Sequence, residues 1–207
     1  MKIKTPKVTQ CESVRFLDLS DEIEFENFLF EENSDEDCEF FSKTFNSCVF
    51  KGISFGNIKL RDIDLIDCIF ENCDLSNQSF ENKYINRVVF KNCKMLGTSF
   101  IGASLKDVCF EECQTKYLNF STAKLNNILF KDSKLCEASF LEANNKNLFF
   151  EDVDLYRTEF VKTDLNGVDF STSDISGVMF DFNSLKGIVI DEFQSKNIVG
   201  MLGVNVK

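Results

Sequence analysis

The chain has 207 residues, of which 43% are hydrophobic and 28% are charged, and its formal net charge is −11. It contains 24 Phe and no His, so it lacks both the usual general base near neutral pH and the commonest metal ligand. This composition counts against an enzyme. An acidic surface also favours a basic partner over nucleic acid, although solubility alone accounts for many acidic residues.

The first 20 residues are the least regular part of the sequence. Lys2, Lys4 and Lys7 occur there without an apolar run, so the segment does not resemble a signal peptide. No stretch of 18 apolar residues occurs in the chain, and we therefore expect a cytoplasmic protein without a membrane span. Residues 1–20 are predicted to pair loosely with the first coil of the repeat that follows, or to cap it.

A repeat with a period of five runs from residue 21 to residue 190. Every tenth residue from 30 to 180 is Phe except Leu60, and the residues midway between them are mostly Leu or Ile. The residue two places before each central position is small or β-branched, and the other three are mostly polar. This period fits neither an α-helix nor a plain strand, but it fits a chain that turns a corner every five residues. The pattern is weakest at Asp35, Thr115 and Asn145.

Four such sides close a square coil of 20 residues, and stacked coils satisfy the backbone hydrogen bonds of their neighbours. The sequence therefore predicts an all-β quadrilateral solenoid of about eight coils, roughly 40 Å long. Two opposite columns would be filled by Phe, and the two columns between them by aliphatic residues. On the outside, Glu and Lys alternate at intervals of 20 residues from Glu31 to Glu151, which supports the same register.

The charge is distributed unevenly along this predicted rod. Residues 21–50 contain ten acidic residues and a single base, Lys43, while residues 51–150 are nearly neutral. Residues 151–207 contain ten acidic and five basic residues. The negative charge is thus concentrated towards the two ends.

The last segment, residues 191–207, departs from the repeat. Asp191 is a candidate N-cap for a short helix, and Gly203 is suited to end it. Because a solenoid end exposes a cross-section of core, it needs a cap or a partner. We therefore predict a C-terminal dimerisation cap and a homodimer, with four apolar residues at the interface: Phe193, Ile198, Met201 and Leu202.

The repeat unit resembles the pentapeptide repeat family over residues 21–190. Two of its clearest copies are Cys73-Asp74-Leu75-Ser76-Asn77 and Thr163-Asp164-Leu165-Asn166-Gly167. The ending from Leu185 to Val204 is similar to the tail of the Qnr-type quinolone-resistance proteins. The segment from Ala103 to Cys113 looks like the chromosomal Qnr-type proteins of Gram-positive bacteria.

This resemblance implies a right-handed quadrilateral β-helix that dimerises through its C-terminal module and has the width and negative charge of B-DNA. It implies binding to DNA gyrase, and to topoisomerase IV, with protection of these enzymes from quinolones. Proteobacterial Qnr proteins carry inserted loops that matter for protection. This sequence has no such insertion, as in loop-free mycobacterial relatives that also bind gyrase.

Nine Cys raise the question of a metal site or disulfides, but no C-x-x-C motif occurs. A soft-metal ladder of Cys73, Cys93 and Cys113, spaced one coil apart, is the alternative to small core residues in a reducing compartment, and we favour the latter. We expect no metal and no cofactor. Cys109 and Cys136 lie off the inward positions and are expected to be exposed and oxidisable. The inward set is Cys38, Cys48, Cys68, Cys73, Cys93 and Cys113.

The candidates for partner binding are acidic residues on the last coils, which a C-terminal dimer would place around the middle of the doubled rod. A DNA mimic would present them to a basic surface of gyrase, without binding nucleic acid itself. The alternative is a scaffold protein with another protein partner. An enzyme is not expected, because a filled solenoid has no pocket for paired carboxylates. The acidic candidates are Glu151, Asp152, Asp154, Asp164, Asp169, Asp174 and Asp181.

Overall fold

The computed structural model describes residues 3–19, 22–201 and 203–205. They form a β-solenoid with one short C-terminal helix, as the repeat predicts, and it has about seven turns where about eight coils were expected. The strands are β1 (Glu12–Ser13), β2 (Glu24–Glu26), β3 (Phe28–Phe30), β4 (Cys38–Phe41), β5 (Thr44–Asn46), β6 (Val49–Lys51), β7 (Ile58–Arg61), β8 (Asp64–Ile66), β9 (Ile69–Glu71), β10 (Tyr84–Lys91), β11 (Ser104–Glu111), β12 (Lys124–Lys131) and β13 (Asn144–Glu151). A 3-10 helix spans Phe16–Asp18 and helix α1 spans Ser195–Met201.

Strand pairing confirms the 20-residue register. The parallel partners of Phe90 are Phe70 and Phe110, one coil away on either side. The eight-residue strands β10 to β13 each cover two sides of the square, whereas the other two sides are joined by single bridges such as Ser99 to Asn119. Each coil therefore contacts the coil before it and the coil after it.

The predicted Phe columns form the core. In one column Phe110 and Phe130 stack with ring centroids 4.6 Å apart and planes within 7° of each other. Across the core, Phe110 meets Phe120 of the opposite column edge-on, with centroids 6.0 Å apart. Stacked and edge-on contacts are the two arrangements that aromatic rings prefer. Both columns are buried along their length, except that Phe180 at the C-terminal end is only partly covered.

The corners use a left-handed backbone conformation. Positive φ angles occur at 22 described non-glycine residues, and each of their numbers ends in 2 or 7. Asn and Asp, together with Gly, tolerate this conformation best, which explains the polar residue two places after each central Phe or Leu. Thr122, with a φ of 58°, is a β-branched exception.

The small inward residues have a second role that the sequence did not reveal. Cys93 Sγ donates a hydrogen bond to the Phe70 carbonyl of the preceding coil at 3.4 Å. Ser133 Oγ does the same to the Phe110 carbonyl at 3.2 Å, and Thr98 Oγ1 bonds to the Leu75 carbonyl at 2.8 Å. Cys, Ser and Thr are therefore interchangeable here because each is a compact donor.

One side of the solenoid interrupts the ladder. Strand β7 pairs with β4 but with no strand of the next coil in the described chain. The buried Gln78 side chain replaces the missing backbone: its Oε1 accepts from the Leu60 amide at 3.1 Å. Its Nε2 donates to the carbonyls of Phe55 and Ile58 at 3.0 and 3.1 Å. A half-open cleft of about 460 Å³ remains beside this wedge.

Both ends of the core are covered from within the chain. At the N-terminal end, Phe16 stacks on Phe30 with centroids 4.4 Å apart, and residues 31–37, around the predicted weak point Asp35, form no strand. At the other end, Gln194 Nε2 donates to the Phe170 carbonyl at 2.8 Å. Helix α1 begins at Ser195. The predicted cap Asp191 accepts a hydrogen bond from the Gln194 amide at 2.7 Å, and Gln194 Oε1 accepts one from the Asp191 amide at 2.9 Å, so this reciprocal pair stabilises the turn just before the helix.

Candidate partner-binding surface

The seven predicted acidic residues surround the last coils and do not share a single face. Asp154 and Asp174 are parallel partners one coil apart on one side of the square. Asp164 and Asp169 belong to other sides, since Asp169 pairs with Val189. Together these carboxylates form an acidic girdle around the C-terminal third of the rod.

Four members of the girdle hold the turns of their own coils. In each, a carboxylate oxygen accepts a hydrogen bond from the amide two residues ahead, the side-chain turn that Asp and Asn favour. Asp74, in the nearly neutral middle of the rod, does the same to Ser76 at 3.0 Å. This role therefore belongs to the fold. The four bonds are Asp154 to Tyr156 (3.0 Å), Asp164 to Asn166 (3.0 Å), Asp169 to Ser171 (2.9 Å) and Asp174 to Ser176 (2.8 Å).

Asp181 is more deeply committed to the fold. Its carboxylate accepts hydrogen bonds from the amides of Ser184 at 2.9 Å, Lys162 at 2.5 Å and Asn183 at 2.7 Å. These bonds, that of Ser184 above all, lower the pKa of Asp181 from its usual value. Asp181 is therefore first a structural residue of the last coil.

Glu151 and Asp152 are the two members of the girdle whose carboxylates do not hold a turn. Both side chains are exposed, and within the described residues neither carboxylate accepts a hydrogen bond. They lie at one corner of the rod. Towards the N-terminal end, the same corner carries the exposed Asp132 and Glu112, one and two coils before Asp152. Their charge can be removed without disturbing a turn.

The cations near the girdle are engaged within the chain. Lys162 Nζ lies 2.7 Å from a Glu142 carboxylate oxygen. The guanidinium of Arg157 lies over the ring of Tyr156, 5.1 Å from its centroid. Residues 151–181 contain eight acidic residues and only these two basic ones, so the girdle is negative overall.

Of the four predicted interface residues, Phe193 is 82% exposed and Met201 is 41% exposed. Ile198 is instead half-buried, because it packs against the end of the core. Leu202 lies outside the described residues.

Further exposed apolar residues on the last coils were missed from the sequence. Phe182 is 73% exposed, Met179 50% and Val189 46%. A signal was present for Met179, since the same outward column carries Glu159 one coil earlier and Ser139 two coils earlier. An apolar residue at a position that is otherwise polar marks a surface that is suited to a contact.

The cysteines are free thiols. Burial raises the pKa of Cys48 to about 12. Cys109 and Cys136 are half-buried, contrary to the expected exposure, because neighbouring coils cover their outward positions, and burial raises the pKa of each to about 11. Thiols with such pKa values are poor nucleophiles at neutral pH. In the part of the chain that the structure describes, no three His, Cys, Asp or Glu residues are grouped to hold a metal ion.

Two family models match this repeat. One, described as a pentapeptide repeat region, covers residues 63–140, and the other, described as pentapeptide repeats, covers residues 146–180. The chain belongs to the pentapeptide repeat family. No curated protein sequence matches this pentapeptide repeat protein. None of the helices in the described ranges is long and apolar enough to cross a membrane.

Solved structures of variants of QnrB1 share the fold. Two trypsin-treated variants of QnrB1, a plasmid-mediated fluoroquinolone resistance protein, are each 24% identical with a TM-score of 0.52. The matches cover 89% of this chain and 90% and 89% of those chains. HetL from the cyanobacterium Nostoc, a pentapeptide repeat protein involved in heterocyst differentiation regulation, is 15% identical with a TM-score of 0.41, over 82% of this chain and 90% of that one.

Proposed function

We propose that this pentapeptide repeat protein is an acidic mimic of DNA that binds a type II topoisomerase, DNA gyrase or topoisomerase IV. It modulates the enzyme and protects it from quinolones. The observation that carries the proposal is the acidic girdle on a narrow rod of continuous 20-residue coils. The function printed for QnrB1, which has this fold over 89% of the chain, supports the proposal.

The physical argument is electrostatic. Double-stranded DNA is a narrow rod with a regular array of negative charges, and the enzymes that bind it present a complementary basic surface. The girdle offers such a surface exposed carboxylates, of which those of Glu151 and Asp152 accept no hydrogen bond within the described residues. Complementary charges of this kind raise the association rate and fix orientation, and they weaken as salt rises.

A homodimer is part of the proposal. The exposed Phe193, Met179 and Phe182 lie at the C-terminal end, where a second copy would cover them. Pairing of the two ends would place two girdles around the centre of a doubled rod. The most strongly negative region of the last coils would then meet the partner.

The decisive experiment is supercoiling by purified gyrase with this protein titrated in, with and without a fluoroquinolone, at two salt concentrations. We expect inhibition at high protein concentration, relief of the drug, and a marked loss of both effects at the higher salt. Absence of inhibition and of drug relief, together with no recovery of gyrase in a pull-down, would leave the scaffold alternative.

A matched pair of variants locates the contact. The double variant Glu151→Gln, Asp152→Asn removes two charges from the girdle. The control Glu112→Gln, Asp132→Asn removes two charges from the same corner in the middle of the rod. The first is expected to weaken gyrase binding and the second to leave it unchanged. Equal effects of the two would place the contact away from the girdle.

A further inference from the structure

The N-terminal segment runs along one corner of the rod instead of only closing its end. The Lys4 amide donates to Asp107 Oδ1 at 3.4 Å, and the Lys7 amide donates to Asp67 Oδ1 at 2.9 Å. Further along, Cys11 Sγ donates to the Ser47 carbonyl at 3.5 Å, and β1 then pairs with β3. We call residues 3–11 the strap.

The strap is extended, and its amides bind side chains of the corner that lie a whole number of coils apart. The residues Asp107 and Asp67 lie two coils apart, about 10 Å at the usual strand spacing. The three residues from Lys4 to Lys7 span about the same distance when extended. The two aspartates bind the strap through its backbone amides, while the side chains of Lys4 and Lys7 are exposed.

Burial along the corner coincides with the strap. Asp67 is 5% exposed and Asp107 2% exposed. At the neighbouring corner, which no segment among the described residues covers, Asn92, Glu112 and Asp132 at the equivalent positions are exposed. The covered corner is therefore a desolvated carboxylate surface with a peptide already bound to it.

Side chains organise this corner independently of the strap. Arg87 donates two hydrogen bonds to the Asp67 carboxylate, at 2.6 and 2.5 Å. Asn127 Nδ2 donates to Asp107 Oδ1 at 2.9 Å, and Asn147 Nδ2 donates to Asn127 Oδ1 at 2.8 Å. Burial alone would raise the pKa of Asp67, but the bonds from Arg87 and from the Lys7 amide hold this pKa below its usual value.

We propose that this corner is a binding surface for an extended, lysine-bearing peptide segment of a partner protein, and that the strap occupies it in cis. Carboxylates spaced by whole coils accept amide hydrogen bonds from any extended chain, so the surface selects backbone shape over a particular sequence. The charge of Lys7 adds a smaller attraction, since it helps to lower the pKa of Asp67. The corner continues past the strap to the exposed Asn147, so a longer segment has further polar groups to contact.

The test is competition in trans. The probe is a fluorescent peptide with the sequence of residues 3–11, titrated against the full chain. The double variant Lys4→Pro, Lys7→Pro removes the two donating amides of the strap while keeping an extended backbone. Thr9→Pro, at an exposed residue outside these bonds, is the control. We expect the probe to bind the double variant about tenfold more tightly than the wild type or the control, because less of the corner is occupied in cis.

A second substitution ties the binding to the corner. Adding Asp107→Ala to the double proline variant is expected to abolish this gain, whereas adding Asp132→Ala, at the uncovered corner and outside the acidic girdle, leaves it intact. Circular dichroism checks that each variant is folded. Equal probe affinity for wild type and double proline variant, or binding that survives Asp107→Ala in a folded protein, would overturn the proposal. The readout is peptide binding, so it is independent of any topoisomerase.

Discussion

At the scale of single residues, the Phe columns supply the stability. Phe110 is fully buried and contacts rings above, below and across the core. Phe110→Ala is expected to cost about 3–5 kcal/mol through the cavity it leaves. Urea denaturation measures this loss. The control Phe41→Ala, at a residue that is 65% exposed, should be nearly neutral. A neutral Phe110→Ala would contradict the assigned core.

The inward donors give a second prediction at this scale. Cys113 Sγ donates to the Phe90 carbonyl at 3.3 Å, the bond that Ser133 makes one coil later. Cys113→Ser keeps the donor and is expected to change the free energy of unfolding by less than about 1 kcal/mol. Cys113→Val leaves the carbonyl without this donor and is expected to cost about 1–3 kcal/mol. Chemical denaturation of both variants distinguishes a donor from mere filler, for which Val would serve as well as Ser.

At the scale of the coil, the corners carry conformational strain that varies with the residue present. Thr122 adopts a positive φ that a β-branched residue disfavours, whereas Asn82, two coils earlier at the same corner, suits it. Thr122→Asn is expected to stabilise the protein by about 0.5–1 kcal/mol, and Asn82→Thr to destabilise it by a similar amount. Thermal unfolding of the reciprocal pair measures both. A destabilising Thr122→Asn would show that the Thr hydroxyl, which donates to the Ser121 carbonyl at 2.6 Å, outweighs the strain.

The C-terminal cap gives a prediction about assembly. Phe193 is 82% exposed and sits just before helix α1. Phe193→Asp is expected to yield a folded monomer, because it places a charge in the proposed interface, and removal of residues 191–207 is expected to yield monomer or aggregate. Sedimentation measures the result, and Phe41→Asp at the far end is the control. If the dimer survives both changes, its interface lies elsewhere on the protein.

The sequence predicted the elements that depend on periodicity and missed those that depend on backbone angles or on distant pairing. The Phe columns, the 20-residue register and the weak point at Asp35 followed from residue spacing alone. The roles of Asp164 and Asp174 in holding turns depend on the backbone angles at the corners, and these angles cannot be deduced from the spacing of residues in a repeat. The strap has no period, and its contacts join Lys4 to Asp107 across 103 residues, so no local pattern indicates them.

At the scale of the whole molecule, the carboxylates make stability depend on pH. Hydrogen bonds lower the pKa of Asp181 in the folded state. At Asp67 burial raises the pKa, but the hydrogen bonds to its carboxylate lower it by more, so this pKa is also below its usual value. For such groups the stabilisation is present above the unfolded-state pKa, near 4, and is lost as pH falls through the folded-state value.

We therefore expect the melting temperature to be steady from pH 7 to about pH 5 and to fall below about pH 4. Asp181→Asn keeps an acceptor oxygen but cannot titrate, so this variant should lose less stability between pH 5 and pH 3 than the wild type. Thermal melts across this range measure both. A steeper acid loss in Asp181→Asn would contradict the assignment.

The stacking of β10 to β13 in one register has a consequence for the dimensions of the molecule. Since residues 84–103 and residues 104–123 each make one full coil, excision of either set would rejoin strands whose side chains already match. The acidic residues near the two ends would then approach one another by about 4.8 Å. Removal of ten residues would instead join opposite sides of the square, so that the coil at the junction could not close. The separation of the two charged ends is thus adjustable in whole coils, and a partner that touches both ends would distinguish proteins that differ by a single coil.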